Sequence, residues 1–318
     1  LIHCYIYTLL HYSMKAKIIQ YKNILLLHLI VVIFGFTAIL GKLITIESDL
    51  LVWFRMGIAT IVLAVFIVFT KASLRMKKGG IWKTVLTGFV IAAHWIFFFE
   101  SINQSNVSIT LAAISSASLF TSILEPIVFK RKVLLYEVIL GGAAIVGLYF
   151  IFKFELDNKV GLILGLISAA LAALFTVING TLIKQYDSQK ISLYELGGGF
   201  LAVTAYIIIF KGFPPMSELV LSPSNWMYIL ILAVICTAFA FVVSVEVMKE
   251  LTPFTVSLTI NLEPIYGIIL ALIIFGAEEK MSPGFYLGAI IILSTLFANV
   301  LIKRRLKKKN AIAPTLID

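Results

Sequence analysis

Ten apolar stretches, each long enough to cross a bilayer, follow one another along this 318-residue chain. They run over about 24–46, 50–70, 82–101, 107–129, 135–152, 159–181, 192–211, 225–247, 252–276 and 283–302. A hydrocarbon core of ~30 Å takes about 20 residues of helix to cross. Lipid offers backbone groups no partner, so each stretch is expected to be helical. The expected fold is all-α integral membrane, with ten transmembrane helices. Divided five and five, an odd number of spans turns the second half upside down, giving two inverted five-helix repeats. Carriers with this layout hold their solute near the membrane midplane, between the halves.

Composition and charge agree. The chain is 61% hydrophobic and 13% charged, where a soluble protein has ~25% charged residues. Its net charge of +10 does not point to nucleic acid, because the basic residues sit in short connections and at the chain ends. With a cytoplasmic N-terminus, 20 Lys and Arg fall on the cytoplasmic side. Four fall opposite, Lys153, Lys159, Lys211 and Lys280, and Lys42 and Arg55 lie within spans. The positive-inside rule then puts both termini in the cytoplasm of a multi-pass protein of the cell (inner) membrane.

Four segments are expected: 1–23 as an N-terminal cytoplasmic segment, 24–152 and 159–302 as the five-helix repeats, and 303–318 as a basic tail. The first methionine is Met14, so residues 1–13 read as an overextended start, with a Tyr- and His-rich interfacial segment as the alternative. The KRRLKKKN tail suits attraction to anionic lipid. Cys4 and Cys236 form no disulfide or metal framework. Shifting the chain by 147 residues pairs Leu111 with Leu258, Ile127 with Ile274 and Gly141 with Gly288, too few matches to mark a repeat.

A charge at mid-bilayer costs at least ~2.5 kcal/mol on insertion scales and asks for a partner or a cavity. Glu263 lies about eleven residues, or ~16 Å, into the ninth stretch, beyond the reach of snorkelling. Pro264 follows it, removes a backbone donor and crowds the Ile260 carbonyl, so a kink beside a carboxyl group is expected. Asn261 adds a second polar group. His94 is comparably deep and opens the string HWIFFFES. It reads either as a proton or solute ligand or as a packed ring bonded to a hydroxyl. Trp95 beside it reads as cavity, lipid-facing or core surface. Arg55 is expected to reach the interface or an outward-facing vestibule, and Glu100 to pair with Lys42 or Arg55. Glu125 and Glu246 read as interfacial ion pairs. The small residues of 108–122, Gly197–Gly199, and SAALAAL (168–174) with Asn179 and Gly180 read as helix contacts or cavity walls.

These residues carry a resemblance. FGFTAILGK (34–42) is similar to a Trp-Gly-x₆-Lys pattern with Phe34 in the first place. Arg55 in LLVWFRMGIA matches a second-span Arg, Glu263–Pro264 a Glu-Pro, and Gly276 with Glu278 a Gly-x-Glu. Together they resemble the drug/metabolite transporter superfamily and its EamA-type ten-helix members. In the first half Glu125–Pro126 is shifted toward the cytoplasmic end, so no first-half site is carried over. The resemblance implies export or exchange of small metabolites, such as amino acids or drugs, without ATP.

The expectation is a secondary transporter working by alternating access. The rivals are an integral-membrane lipid-modifying enzyme and a channel. Its candidate substrate-binding or proton-coupling residues are Glu263, Asn261, Pro264, His94, Arg55 and Trp95. Expected partners are a small-molecule substrate and the lipid bilayer, with a homodimer left open. No nucleic acid, cofactor or metal is expected.

Overall fold

The structure, a computed structural model, describes residues 2–71, 73–130, 132–212, 214–260 and 262–312. All its regular elements are helical. The first half holds α1 (Ile2–Leu43), α2 (Ser48–Phe69), α3 (Lys78–Gln104), α4 (Val107–Ile114), α5 (Ala117–Phe129) and α6 (Leu135–Phe154). The second holds α7 (Lys159–Leu182), α8 (Ser188–Tyr206), the short α9 (Met216–Leu219), α10 (Pro223–Ala233), α11 (Ala240–Glu246), α12 (Pro253–Ile260), α13 (Glu263–Phe275) and α14 (Pro283–Ile312).

Among the described residues, seven stretches are long and apolar enough to span by themselves, from Leu25–Leu43 to Pro223–Lys249. Val138–Phe154 and Pro283–Asn299 are shorter apolar helices. The remaining crossing is shared by α12 and α13, which completes five per half. Phe69, Leu135, Phe210 and Ile273 stand more than 70% exposed, as a lipid-facing surface requires.

The fourth and ninth crossings are both broken, and the breaks correspond. α4 and α12 share one length, as do α5 and α13. Every boundary of the second pair lies 146 residues after its counterpart. The shift of 147 tried on the sequence, whose matches were too few to mark a repeat, differs from this offset by one residue, a rotation of about 100° around a helix. Identity among apolar residues is too unspecific to fix register. Ser115 and Ser116 interrupt the first crossing, each hydroxyl taking a carbonyl three residues back, of Ala112 and Ala113, at 2.6 Å. Pro264 marks the second, sitting in the first turn of α13, where its missing donor is tolerated.

Small residues let these elements approach closely. Gly35 of α1 faces Gly267 of α13, and a Cβ on Gly35 would lie 3.3 Å from the Gly267 nitrogen. Gly88 of α3 is pressed against the backbone of α8 at Glu195 and Gly199. Membrane helices pack through such contacts because lipid provides no hydrophobic drive between them.

Candidate functional site in the central cavity

A cavity lies between the halves, lined by residues of both. Its wall includes Arg55, His94, Trp95 and Glu263, four of the residues singled out from the sequence. Pro264 is buried behind Glu263 in α13. Asn261 lies outside the described residues.

Glu263 opens α13 at the break in the ninth crossing. It is 6% exposed. Among the described residues no side chain forms an ion pair or hydrogen bond with its carboxyl group. Its place at a helix start is favourable for negative charge, since free N–H groups converge there.

Arg55 is 1% exposed, so the expected reach to an interface does not occur. Its helix carries it into the bundle, where second-half groups receive it. Nε donates to Thr237 Oγ1 at 2.6 Å, and Nη2 lies 3.5 Å from the Cys236 carbonyl. Cys236 is a free, buried thiol. Thr237 sits in a π-type stretch, Val234–Phe239, and its hydroxyl also donates to the Leu232 carbonyl at 2.7 Å. Such a widened turn exposes backbone acceptors to a side chain. The guanidinium lies 3.9 Å from the centre of the Trp95 ring, a cation–π stack. Nη1 is buried with no hydrogen-bond partner among the described residues.

His94 belongs to the alternative of a ring bonded to a hydroxyl, and it also lines the cavity. Its Nδ1 lies 2.9 Å from the Ser168 carbonyl and 2.8 Å from Ser168 Oγ, and that hydroxyl donates to the His94 carbonyl at 2.9 Å. A carbonyl only accepts, so Nδ1 carries the hydrogen and Nε2 is left as the acceptor of the neutral ring. Phe175 meets the ring edge-on at 5.4 Å, and Phe241 does the same for Trp95 at 6.1 Å. The cavity is therefore aromatic and apolar over most of its wall, with one guanidinium, one carboxyl and one imidazole.

Sequence reasoning missed Thr237, Phe175 and Phe241, while Ser168 belongs to the small-residue string read as a contact or cavity wall. The three missed residues lie in the second half on ordinary apolar text, where only the partner across the cavity distinguishes them. Asn179, read as a contact or cavity wall, stands in this wall.

One end of the cavity is tied across the halves. Lys42 Nζ pairs with Glu279 at 3.0 Å and Glu278 at 3.1 Å. Glu278, the acid matched to the Gly-x-Glu, is exposed, while Glu279 is fully buried. Glu279 also accepts the Val107 and Ser108 N–H groups at 3.1 and 2.9 Å, capping α4. Lys211 pairs with Asp49 and Glu47 at 2.7 Å. Glu100 is spent on Ser48 and Gln104, at 2.9 and 2.8 Å, and not on either expected cation. At the opposite end Glu246 pairs with Lys249 at 2.7 Å, as expected. Glu125 is buried and accepts the Phe254 N–H at 2.7 Å, at the start of α12.

Comparison with known proteins now settles the family. The model of the EamA-like transporter family matches twice, over residues 22–153 and 159–301. The chain belongs to the EamA-like transporter family. A curated relative, "Uncharacterized transporter YxxF" of Bacillus subtilis (strain 168), is 24% identical over 216 residues. That match takes in 65% of this chain and 66% of the relative's own length. A solved crystal structure of another protein aligns over 90% of this chain and 99% of its own, with a TM-score of 0.66 at 14% identity. That likeness speaks for the fold alone. This EamA-like chain is thus a multi-pass membrane transporter of two five-helix halves.

Proposed function

We propose that this EamA-like protein is a secondary carrier that exports or exchanges a small metabolite, such as an amino acid or a drug, by alternating access. The observation that carries this reading is the convergence of Arg55, His94, Trp95 and Glu263 on one cavity between the halves. Arg55 Nη1 is a donor waiting for an acceptor, the Glu263 carboxyl suits a cationic group or a proton, and the aromatic wall suits an apolar body. Nothing here resembles a nucleotide-binding loop, so a gradient or the solute's own concentration difference supplies the energy.

The cavity lining continues from Arg55 and Glu263 to Asn179 and Met248, near the basic connections. The other end is held by Lys42 with Glu279 and by Lys211 with Asp49. We read this as the inward-facing conformer in an inner membrane, with both termini cytoplasmic. Orientation is tested by single cysteines: one replacing Lys280 is expected to label from outside intact cells, and one replacing Lys249 only after permeabilisation. The reverse pattern inverts the reading.

The main experiment is counterflow in proteoliposomes, using solutes that accumulate differently in cells with and without the protein. A carrier shows trans-stimulation. Flux without trans-stimulation would favour a channel, and chemical change of the solute an enzyme.

A further inference from the structure

Behind the cavity wall lies a buried carboxyl group to which the transport reading gives no role. Glu195 of α8 is fully buried. Its Oε2 accepts a hydrogen bond from Asn179 Nδ2 of α7 at 3.2 Å. Its Oε1 has no hydrogen-bond partner among the described residues, and the same holds for Asn179 Oδ1 and Ser192 Oγ. Both of those residues are also fully buried. Ser192 and Glu195 are three residues apart on α8 and share a helix face. Three buried oxygens on two adjacent helices are thus left over, with one hydroxyl hydrogen among them.

An ionised carboxylate in such surroundings is costly unless a positive charge accompanies it. Among the described residues, the elements packed on α8 supply none. Arg55 and Asp49 of α2 are engaged with Thr237 and Lys211. On α3, Lys83, His94 and Glu100 bond to Thr181, Ser168 and Ser48. Glu246 of α11 bonds to Ser188 and Lys249. Carboxylate, amide carbonyl and hydroxyl oxygens are the ligands that hard cations prefer. One carboxylate charge balances one unit of positive charge, which favours a monovalent ion.

We propose that Glu195, Asn179 and Ser192 form a monovalent-cation site, for H⁺ or Na⁺, one layer behind the substrate cavity. Asn179 links the two, because its amide bonds Glu195 and also stands in the cavity wall. With the cation bound, the amide is held by both its ends. With the cation gone, the amide is free to turn, and the wall changes with it. The coupling part of this idea rests on the carrier reading, whereas the binding part does not.

The test uses the full-length protein in detergent without solute. Its thermal midpoint is measured in sodium against choline chloride at about pH 8.5, and in choline chloride between about pH 8.5 and 6. The wild type is expected to be stabilised by sodium, by protons, or by both, and the arm that responds identifies the ion. Glu195→Gln is expected to lose the sodium response and to diminish the proton response, the remainder belonging to Glu263. Ser192→Ala should shift the half-saturating concentration by about fivefold, the effect of one hydrogen-bond-strength ligand. Absence of any response in the wild type overturns the site. A full response in Glu195→Gln overturns it as well. If Glu195→Gln does not fold, an unchanged response in Ser192→Ala does the same. Absent counterflow with an intact cation response would sink the carrier reading and leave the site standing.

Discussion

The two broken crossings are built to one plan but carry different chemistry. α4 and α5 repeat as α12 and α13 in length and spacing, and the pairs touch: Thr121 of α5 and Ser257 of α12 share a hydrogen bond of 3.1 Å. Each half also caps the other's broken helix, Glu279 at the start of α4 and Glu125 at the start of α12. The interruptions themselves differ. Ser115 and Ser116 satisfy their hydroxyls on their own helix, and Ala117 follows. In the second half, the residue in the place of Ala117 is Glu263, backed by Pro264. Symmetry of backbone is therefore compatible with a one-sided site. The repeat supplies two half-helix starts at the cavity, and only one of them bears a charge.

The largest effect is expected at that difference. Glu263→Gln should lower counterflow at least about tenfold, as loss of a charged contact of ~1.5–3 kcal/mol implies, while Ala117→Ser stays within about twofold. Equal losses at both positions would mean that the break, and not the carboxyl group, does the work. Arg55→Lys comes next. Lysine keeps the charge but loses the planar stack on Trp95 and the Nε bond to Thr237, so a loss of about tenfold in transport with unchanged folding is expected. Full activity of that variant would reduce Arg55 to a point charge.

The caps sharpen the comparison through stability. Glu279 holds two backbone N–H groups, the Ser108 hydroxyl and Lys42. Glu279→Gln should destabilise the protein by about 3 kcal/mol, since it removes the buried charge that faces both the helix start and Lys42 and leaves the lysine only the exposed Glu278. Glu125→Gln keeps an acceptor for the Phe254 N–H and should cost about half as much, near 1.5 kcal/mol. Unfolding in mixed micelles measures both, and the opposite order would show that the end near α12 is the firmer clasp.

Much of this was legible in the sequence, for physical reasons that differ by residue. Span number could be read because the membrane imposes length and apolarity on every crossing. Glu263, His94 and Arg55 could be read because burial of such groups is expensive and thus conspicuous. Thr237 could not, because a neutral hydroxyl is cheap anywhere in a helix and its value lies in the residue it meets. Glu279 was passed over for its neighbour Glu278, since adjacent acids differ only in which one the loop turns inward. The broken fourth crossing was hidden too: Ser115 and Ser116 look like ordinary packing residues until their hydroxyls are seen on the Ala112 and Ala113 carbonyls.

The smallest effect is expected at those serines. Replacing both Ser115 and Ser116 by Ala removes two hydroxyls that already bond within their own turn. It also favours helix by a few tenths of a kcal/mol per residue. The gain and the loss nearly cancel, so stability should change by less than about 1 kcal/mol. Neither hydroxyl is left to contact a solute, and transport should therefore stay within about twofold in counterflow. A tenfold loss would mean that straightening this crossing closes the cavity. The first break would then be a moving part equal to the second, and the asymmetry between the halves would reside in the ligand contacts alone.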